Sequence, residues 1–196
     1  MKAFNGYEEV KAATERVTLP KGGYVVKIKA AQVKTYQGQN GDFEKLEIAF
    51  DIAEGEYKDY FQNDFDNQNT EDKRWKGVLR QYIPTDDGSE KDARTKSYFK
   101  AMIEAIEDSN NGYHWDWDEK KLKGKIVGCL FRLEEWEWDG KSGWRTAALK
   151  FIEAQKIRDG KFKVPNDKPL NTNSQPAFAQ FNSLDVNMDD DEDLPF

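Results

Sequence analysis

The chain has 196 residues, 13 % aromatic and 34 % charged, with a net charge of −7. That length suits one domain with an appendage, and the rings are numerous enough for a sizeable core. No apolar run reaches the roughly 18 residues of a membrane span, and residues 1–17 contain no apolar segment of the secretory kind.

Residues 1–19 carry a faint helical period, with Tyr7, Val10, Ala13 and Val17 on one face, ended by Pro20, Gly22 and Gly23. A first strand begins at Tyr24. Its alternation places Tyr24, Val26, Ile28 and Ala30 on the core side, and Val25, Lys27, Lys29 and Ala31 on the other. The turn Gln39-Asn40-Gly41 leads into a second strand, with Leu46, Ile48, Phe50 and Ile52 facing the core and Phe43, Lys45, Glu47, Ala49 and Asp51 facing away. Two alternating runs around an Asn-Gly turn read as a hairpin.

Residues 57–74 have no clear period. The stretch from Trp75 to Ile83 reads as a third strand. Residues 95–107 read as a helix, because Phe99, Met102, Ile103 and Ile106 recur at three and four residues. Asn110, Asn111 and Gly112 stop it. The strongest strand follows, Ile126 to Trp136, with Val127, Cys129, Phe131 and Leu133 inward. Cys129, the chain's single cysteine, has no disulfide partner and reads as a buried thiol in a reducing compartment. A hairpin loop at Asp139–Gly143 leads to the last strand, Trp144 to about Ala154. There Ala147, Leu149 and Phe151 are expected inward, and Trp144, Thr146, Ala148 and Lys150 outward. The order is strand, strand, strand, helix, strand, strand. A mostly β, five-stranded Greek-key barrel with a helix between strands 3 and 4 is the OB-type arrangement.

Past Val164 the composition changes. Residues 1–164 form the expected folded domain, 165–187 a flexible polar linker and 188–196 an acidic tail. From residue 171 onward there is no Lys or Arg but six acids; without them the 37 acidic residues come close to balancing the 30 basic ones. The acidity therefore belongs to the tail, and the domain is free to carry a basic groove.

Binding nucleic acid without sequence choice needs cations that track phosphates and rings that stack on bases. Both lie on the expected outer strand faces and adjoining loops. Lys27 and Lys29 are on the first strand, Phe43 and Lys45 on the second, and Trp75, Lys76 and Arg80 in the third region. Arg132 and Trp136 are on the fourth strand, and Trp138, Lys141, Trp144 and Lys150 surround the final hairpin. Rings in a small domain are more often packing residues; the crowding of three tryptophans on one polar hairpin argues for a partner there.

At the C-terminus Asp189, Asp190, Asp191, Glu192 and Asp193 precede Leu194, Pro195 and Phe196. A phenyl ring beside an α-carboxylate can fill a pocket closed by a cation, while the upstream acids meet a basic rim. This end resembles the tail of bacterial and phage single-stranded DNA-binding proteins, with Leu194 where Ile is common. The resemblance implies that the tip recruits replication, recombination and repair enzymes. The segments 107–113, 122–128 and 156–162 look like those of phage-encoded single-stranded DNA-binding proteins from Gram-positive hosts. That likeness implies an OB fold, no enzymatic activity, no cofactor, and work in the host cell's cytoplasm during phage DNA replication or recombination.

Other chemistries are poorly served. Asp108 to Glu119 imitates a calcium loop, but Tyr113 stands where the sharp turn needs Gly. His114 is the only histidine, with no Cys-x-x-Cys companion for zinc, so no metal site is expected. Two rivals remain: an OB-type protein-interaction adaptor that does not bind DNA, and a metal-dependent nuclease built on the many carboxylates. A barrel of this kind can also self-associate through a sheet face.

Overall fold

In a computed structural model of the chain, the described residues are 17–38 and 41–170. The expected N-terminal helix, the Gln39-Asn40 turn, most of the linker and the whole acidic tail lie outside them.

Five strands form one antiparallel sheet: β1 (Gly22–Gly38), β2 (Gly41–Ile52), β3 (Val78–Tyr82), β4 (Ile126–Trp138) and β5 (Lys141–Ile152), in the order β3-β2-β1-β4-β5. β3 and β5, the two edges, approach each other without a ladder of their own. Both expected hairpins are present, and Gly38 pairs with Gly41 across the first turn. The third strand is shorter than its sequence suggests. Its first expected residues, Trp75 to Gly77, approach β2 without strand geometry, and Gly77 O accepts from Phe50 N.

The helix expected over 95–107 is longer, as α2 (Glu90–Ser109). Ser89 caps it by accepting from Asp92 N, and the Asp92 carboxylate accepts from Thr85 N and Asp86 N, which ties the preceding loop to the first turn. At the other end Asn110 bonds both the N–H and the C=O of Ile126 and fixes where β4 starts. Met102, Ile103 and Ile106 face the core. No helix among the described residues is long and apolar enough to cross a membrane.

Two short helices go beyond the sequence reading. α1 (Tyr60–Asp66) lies within the region that showed no period. Its N-terminus is capped from a distance: the buried Asp51 carboxylate accepts from Phe61 N and Gln62 N as well as its neighbour Ile52 N. α3 (Ala154–Arg158) lies over the far side of β1 and β4. Gly23 and Gly128 make this approach possible, since a Cβ on Gly23 would stand 2.4 Å from Ile157 and 2.8 Å from Phe162.

The core gathers Val26, Ile28, Leu46, Ile48, Phe50, Ile52, Val127, Cys129, Phe131 and Phe151. Phe50 sits at its centre, meeting Phe61, Phe131 and Phe151 edge-on at 5.7–5.9 Å.

Two β-bulges overturn part of the expected facing. In β1, Ile28 pairs with Phe50 and Ala30 with Ala49, leaving Lys29 as the extra residue. Beyond it the phase reverses: Ala31 packs on the core and Ala30 is exposed. In β5, Leu130 pairs with Lys150 and Phe131 with Ala148, so Leu149 is extra. Ala148, expected outward, therefore meets the core.

Residues 165–170, expected to begin the linker, run alongside β4. Lys168 N donates to Leu133 O and Glu135 N donates to Lys168 O, beyond the point where β1 stops pairing with β4. A Lys21–Asp167 ion pair at 2.7 Å secures this strap.

Candidate functional site

Antiparallel partners share a face, so the ladders define the outer surface of β1, β2 and β3. Tyr36 pairs with Phe43, Lys34 with Lys45 and Gln32 with Glu47; Lys45 then pairs with Tyr82, Glu47 with Arg80 and Ala49 with Val78. Lys27, opposite Asp51, lies on the same side. The bulge at Lys29 is what turns Lys34 and Tyr36 to the face of Lys27.

Three rings make a row there. Tyr36 and Phe43 stack at 5.5 Å with planes 9° apart, and Phe43 meets Tyr82 at 5.5 Å and 39°. Lys45 lies beneath them, only 4 % exposed, its ammonium 4.4 Å from the Tyr82 centroid, 5.4 Å from Tyr36 and 5.5 Å from Phe43. A cation set against ring faces is held by their quadrupoles. The rings thus form a supported, half-exposed aromatic surface of the kind on which a base can stack.

Beside the platform Glu47 organises the charge. It accepts from Tyr36 Oη at 2.6 Å and Arg80 Nε at 2.8 Å, and pairs with Lys34 Nζ at 2.8 Å. Burial opposes ionisation of Glu47, but the hydrogen bonds from Lys34, Tyr36 and Arg80 outweigh it and hold the carboxyl at about 2. Lys34 and Arg80 remain half exposed, with 52 % and 51 % of their side chains open to water. The face therefore offers cations in fixed positions, partly neutralised by one buried carboxylate.

Compared with described families and with curated proteins, the chain matches none.

Of the residues expected from sequence, the sheet gathers Phe43, Lys45, Arg80 and Lys27 on this face, with Lys29 exposed at the bulge. Trp75 is engaged inside the fold. Its indole N–H donates to Phe50 O at 3.1 Å and Gly77 O at 3.2 Å, and its ring lies against Phe65. Lys76 pairs with Asp64 at 2.9 Å, on the side of α1.

The β4–β5 hairpin holds the second group, on two faces. Arg132, Trp136 and Trp138 alternate with the side of Glu135 and Trp144. Trp136 lies across Gly143, where a Cβ would come within 3.2 Å of the ring. Trp138 is 59 % exposed and Trp144 48 %, but on opposite faces, so the three tryptophans do not form one cluster. Arg132 is buried and doubly bonded to Glu134. Lys141 and Lys150 are exposed.

Sequence reasoning missed Lys34, Tyr36 and Tyr82. Tyr82 was within the expected third strand and could have been found by continuing the alternation from Arg80. Lys34 and Tyr36 needed the bulge. Among the described residues no three His, Cys, Asp or Glu side chains are grouped to hold a metal ion.

Proposed function

We propose that this protein binds single-stranded DNA, without strong sequence preference, on the outer face of β1, β2 and β3. The observation that carries the reading is the Tyr36–Phe43–Tyr82 row supported by Lys45 and flanked by Lys34 and Arg80, with Lys27 further along the same face. Rings of this kind suit bases of any identity, because every base has a π-face. The exposed cations suit the phosphates between them. The strand order, with edges β3 and β5 approaching each other and a helix between β3 and β4, supports an OB-type barrel as the scaffold. Such a scaffold covers roughly 4–16 nucleotides.

In this reading the protein coats single strands during phage DNA replication or recombination in a bacterial cell, and catalyses nothing. The tail residues Asp189 to Phe196 recruit replication, recombination or repair enzymes, and as a polyanion they compete with DNA for the basic face.

The test is the anisotropy of a labelled oligo-dT strand titrated with the full chain at low and high salt, with a duplex of equal length alongside. Binding to the single strand, weakened by salt, weak on the duplex and reduced in Phe43→Ala, is the expected result. No binding at low salt would defeat the proposal and leave the adaptor reading.

A further inference from the structure

The loop before β4 carries Lys120, Lys121, Lys123 and Lys125, and the backbone brings it to β1. β1 pairs with β4 only as far as Lys27 and Ile126. One step further, Ile28 N donates to Lys125 O at 2.9 Å and Gly124 N donates to Ile28 O at 2.8 Å. The loop is thereby fixed beside the bulge of β1. Beyond Ile28, β1 pairs only with β2 among the described residues, so no described strand separates the loop from the half of β1 that carries Lys34 and Tyr36.

The bulge adds a cation at this point. Lys29 is its extra residue, and bulges re-aim side chains. Burial pushes the Asp51 carboxyl up, while the N–H groups of Phe61, Ile52 and Gln62, and then the charge of Lys29, oppose that shift. Lys29 therefore lies near Asp51, the partner of Lys27 across the ladder.

The charges here sort by engagement. Lys121 pairs with Asp116, and Lys125 Nζ lies 4.2 Å over the Tyr113 ring. Asp118 accepts from Lys120 N, and Asp51 accepts from three main-chain N–H groups. Of Asp51, Asp116, Asp118 and Glu119, only Glu119 is left. It stands against Lys27, Lys29, Lys120 and Lys123, all exposed and none in an ion pair among the described residues. Positive charge is left over at the bulge. Lys34 stands five residues beyond Lys29, about 17 Å along the strand at about 3.3 Å per residue. One phosphate cannot meet both. A single strand of several nucleotides can, and one barrel covers roughly 4–16.

We propose that Lys29 and Lys123, with Lys27 beside them, form a second phosphate-binding point, which takes the backbone of the single strand where it leaves the Tyr36–Phe43–Tyr82 row. This second point rests on the DNA-binding reading above. Rings hold the bases at one end of β1, and lysines from two distant parts of the chain hold the backbone at the bulge.

The test is the salt dependence of oligo-dT binding, read by anisotropy on the full chain with a labelled strand of about 16 nucleotides. In Lys29→Gln/Lys123→Gln the slope of log affinity against log salt should fall by up to about 1.4, at about 0.7 per phosphate. Raising the salt about fourfold then costs the wild type about sevenfold more affinity than the variant. Both side chains are exposed, so the variant stays folded, which an unchanged urea midpoint reads. Lys100→Gln, on α2 and paired with Glu104, should leave the slope unchanged. Deleting residues 188–196 should leave the fall intact. If the wild type binds and Phe43→Ala binds less, but the slope is unchanged in the double variant, the second point is overturned and the ring face stands. An equal fall per charge in Lys100→Gln would show an effect of net charge and overturn it too. So would a fall seen only with the tail present, since the lysines would then be meeting the tail. No binding by the wild type would overturn the ring face and the second point together.

Discussion

Replacing Glu47 with Gln tests whether one carboxylate governs both the rigidity and the charge of the β1–β2–β3 face. Folded Glu47 titrates at about 2 against an ordinary value of 4.5. That difference corresponds to roughly 3 kcal/mol of preference for the ionised form in the folded protein. The sign follows from the depressed value: this stabilisation is present above pH 4.5 and is lost as pH falls through about 2. Lys34 and Arg80 are half exposed, so water re-solvates them once the carboxylate is gone. The net loss at neutral pH should therefore be smaller, about 1–2 kcal/mol. Urea unfolding followed by tryptophan fluorescence reads this, and repeating it in acid should show the wild-type advantage shrinking below pH 4.5. On DNA the effect reverses. With Lys34 and Arg80 released, low-salt affinity for oligo-dT should rise, and the slope of log affinity against log salt should steepen by up to about 1.4, at about 0.7 per phosphate. A variant as stable as wild type at every pH would refute the electrostatic account of Glu47. An unchanged salt slope would remove Lys34 and Arg80 from the path of the phosphates.

Three further outcomes follow from the geometry. Phe43→Ala and Tyr82→Ala should each weaken oligo-dT binding by about 1–3 kcal/mol in an anisotropy titration, whereas Trp75→Phe, which removes an indole N–H engaged by Phe50 and Gly77, should lower the urea midpoint and leave DNA affinity unchanged. Gly23→Ala drives a methyl into Ile157 and Phe162 and should destabilise the fold by about 1–3 kcal/mol, read in the same unfolding assay. Deleting residues 188–196 should tighten oligo-dT binding at low salt; unchanged affinity would remove the competition between tail and DNA.

Legibility in the sequence followed the range of the physics. The β1–β2 and β4–β5 hairpins and α2 showed in the sequence because their periods are local: Val26 and Ile28, Leu46 to Ile52, and Phe99 to Ile106 repeat within a few residues. α1 did not show, because its N-terminal N–H groups are satisfied by Asp51, ten residues upstream on a strand, and not by a neighbouring cap. Trp75 looked available for stacking because no local pattern reveals that its indole reaches back to Phe50 O.

By itself the sequence determined the β1–β2 and β4–β5 hairpins, the place of the long helix and the concentration of acids without Lys or Arg beyond residue 170. Each depends on residues adjacent in the chain. Tertiary structure decided which side chains share a surface. One extra residue at Lys29 turned Lys34 and Tyr36 towards Phe43 and Lys45, and the addition of β3 to β2 brought Tyr82 and Arg80 beside them. A strand's facing alternates with every residue, so a single bulge, invisible to a period-two reading, reassigns every side chain beyond it.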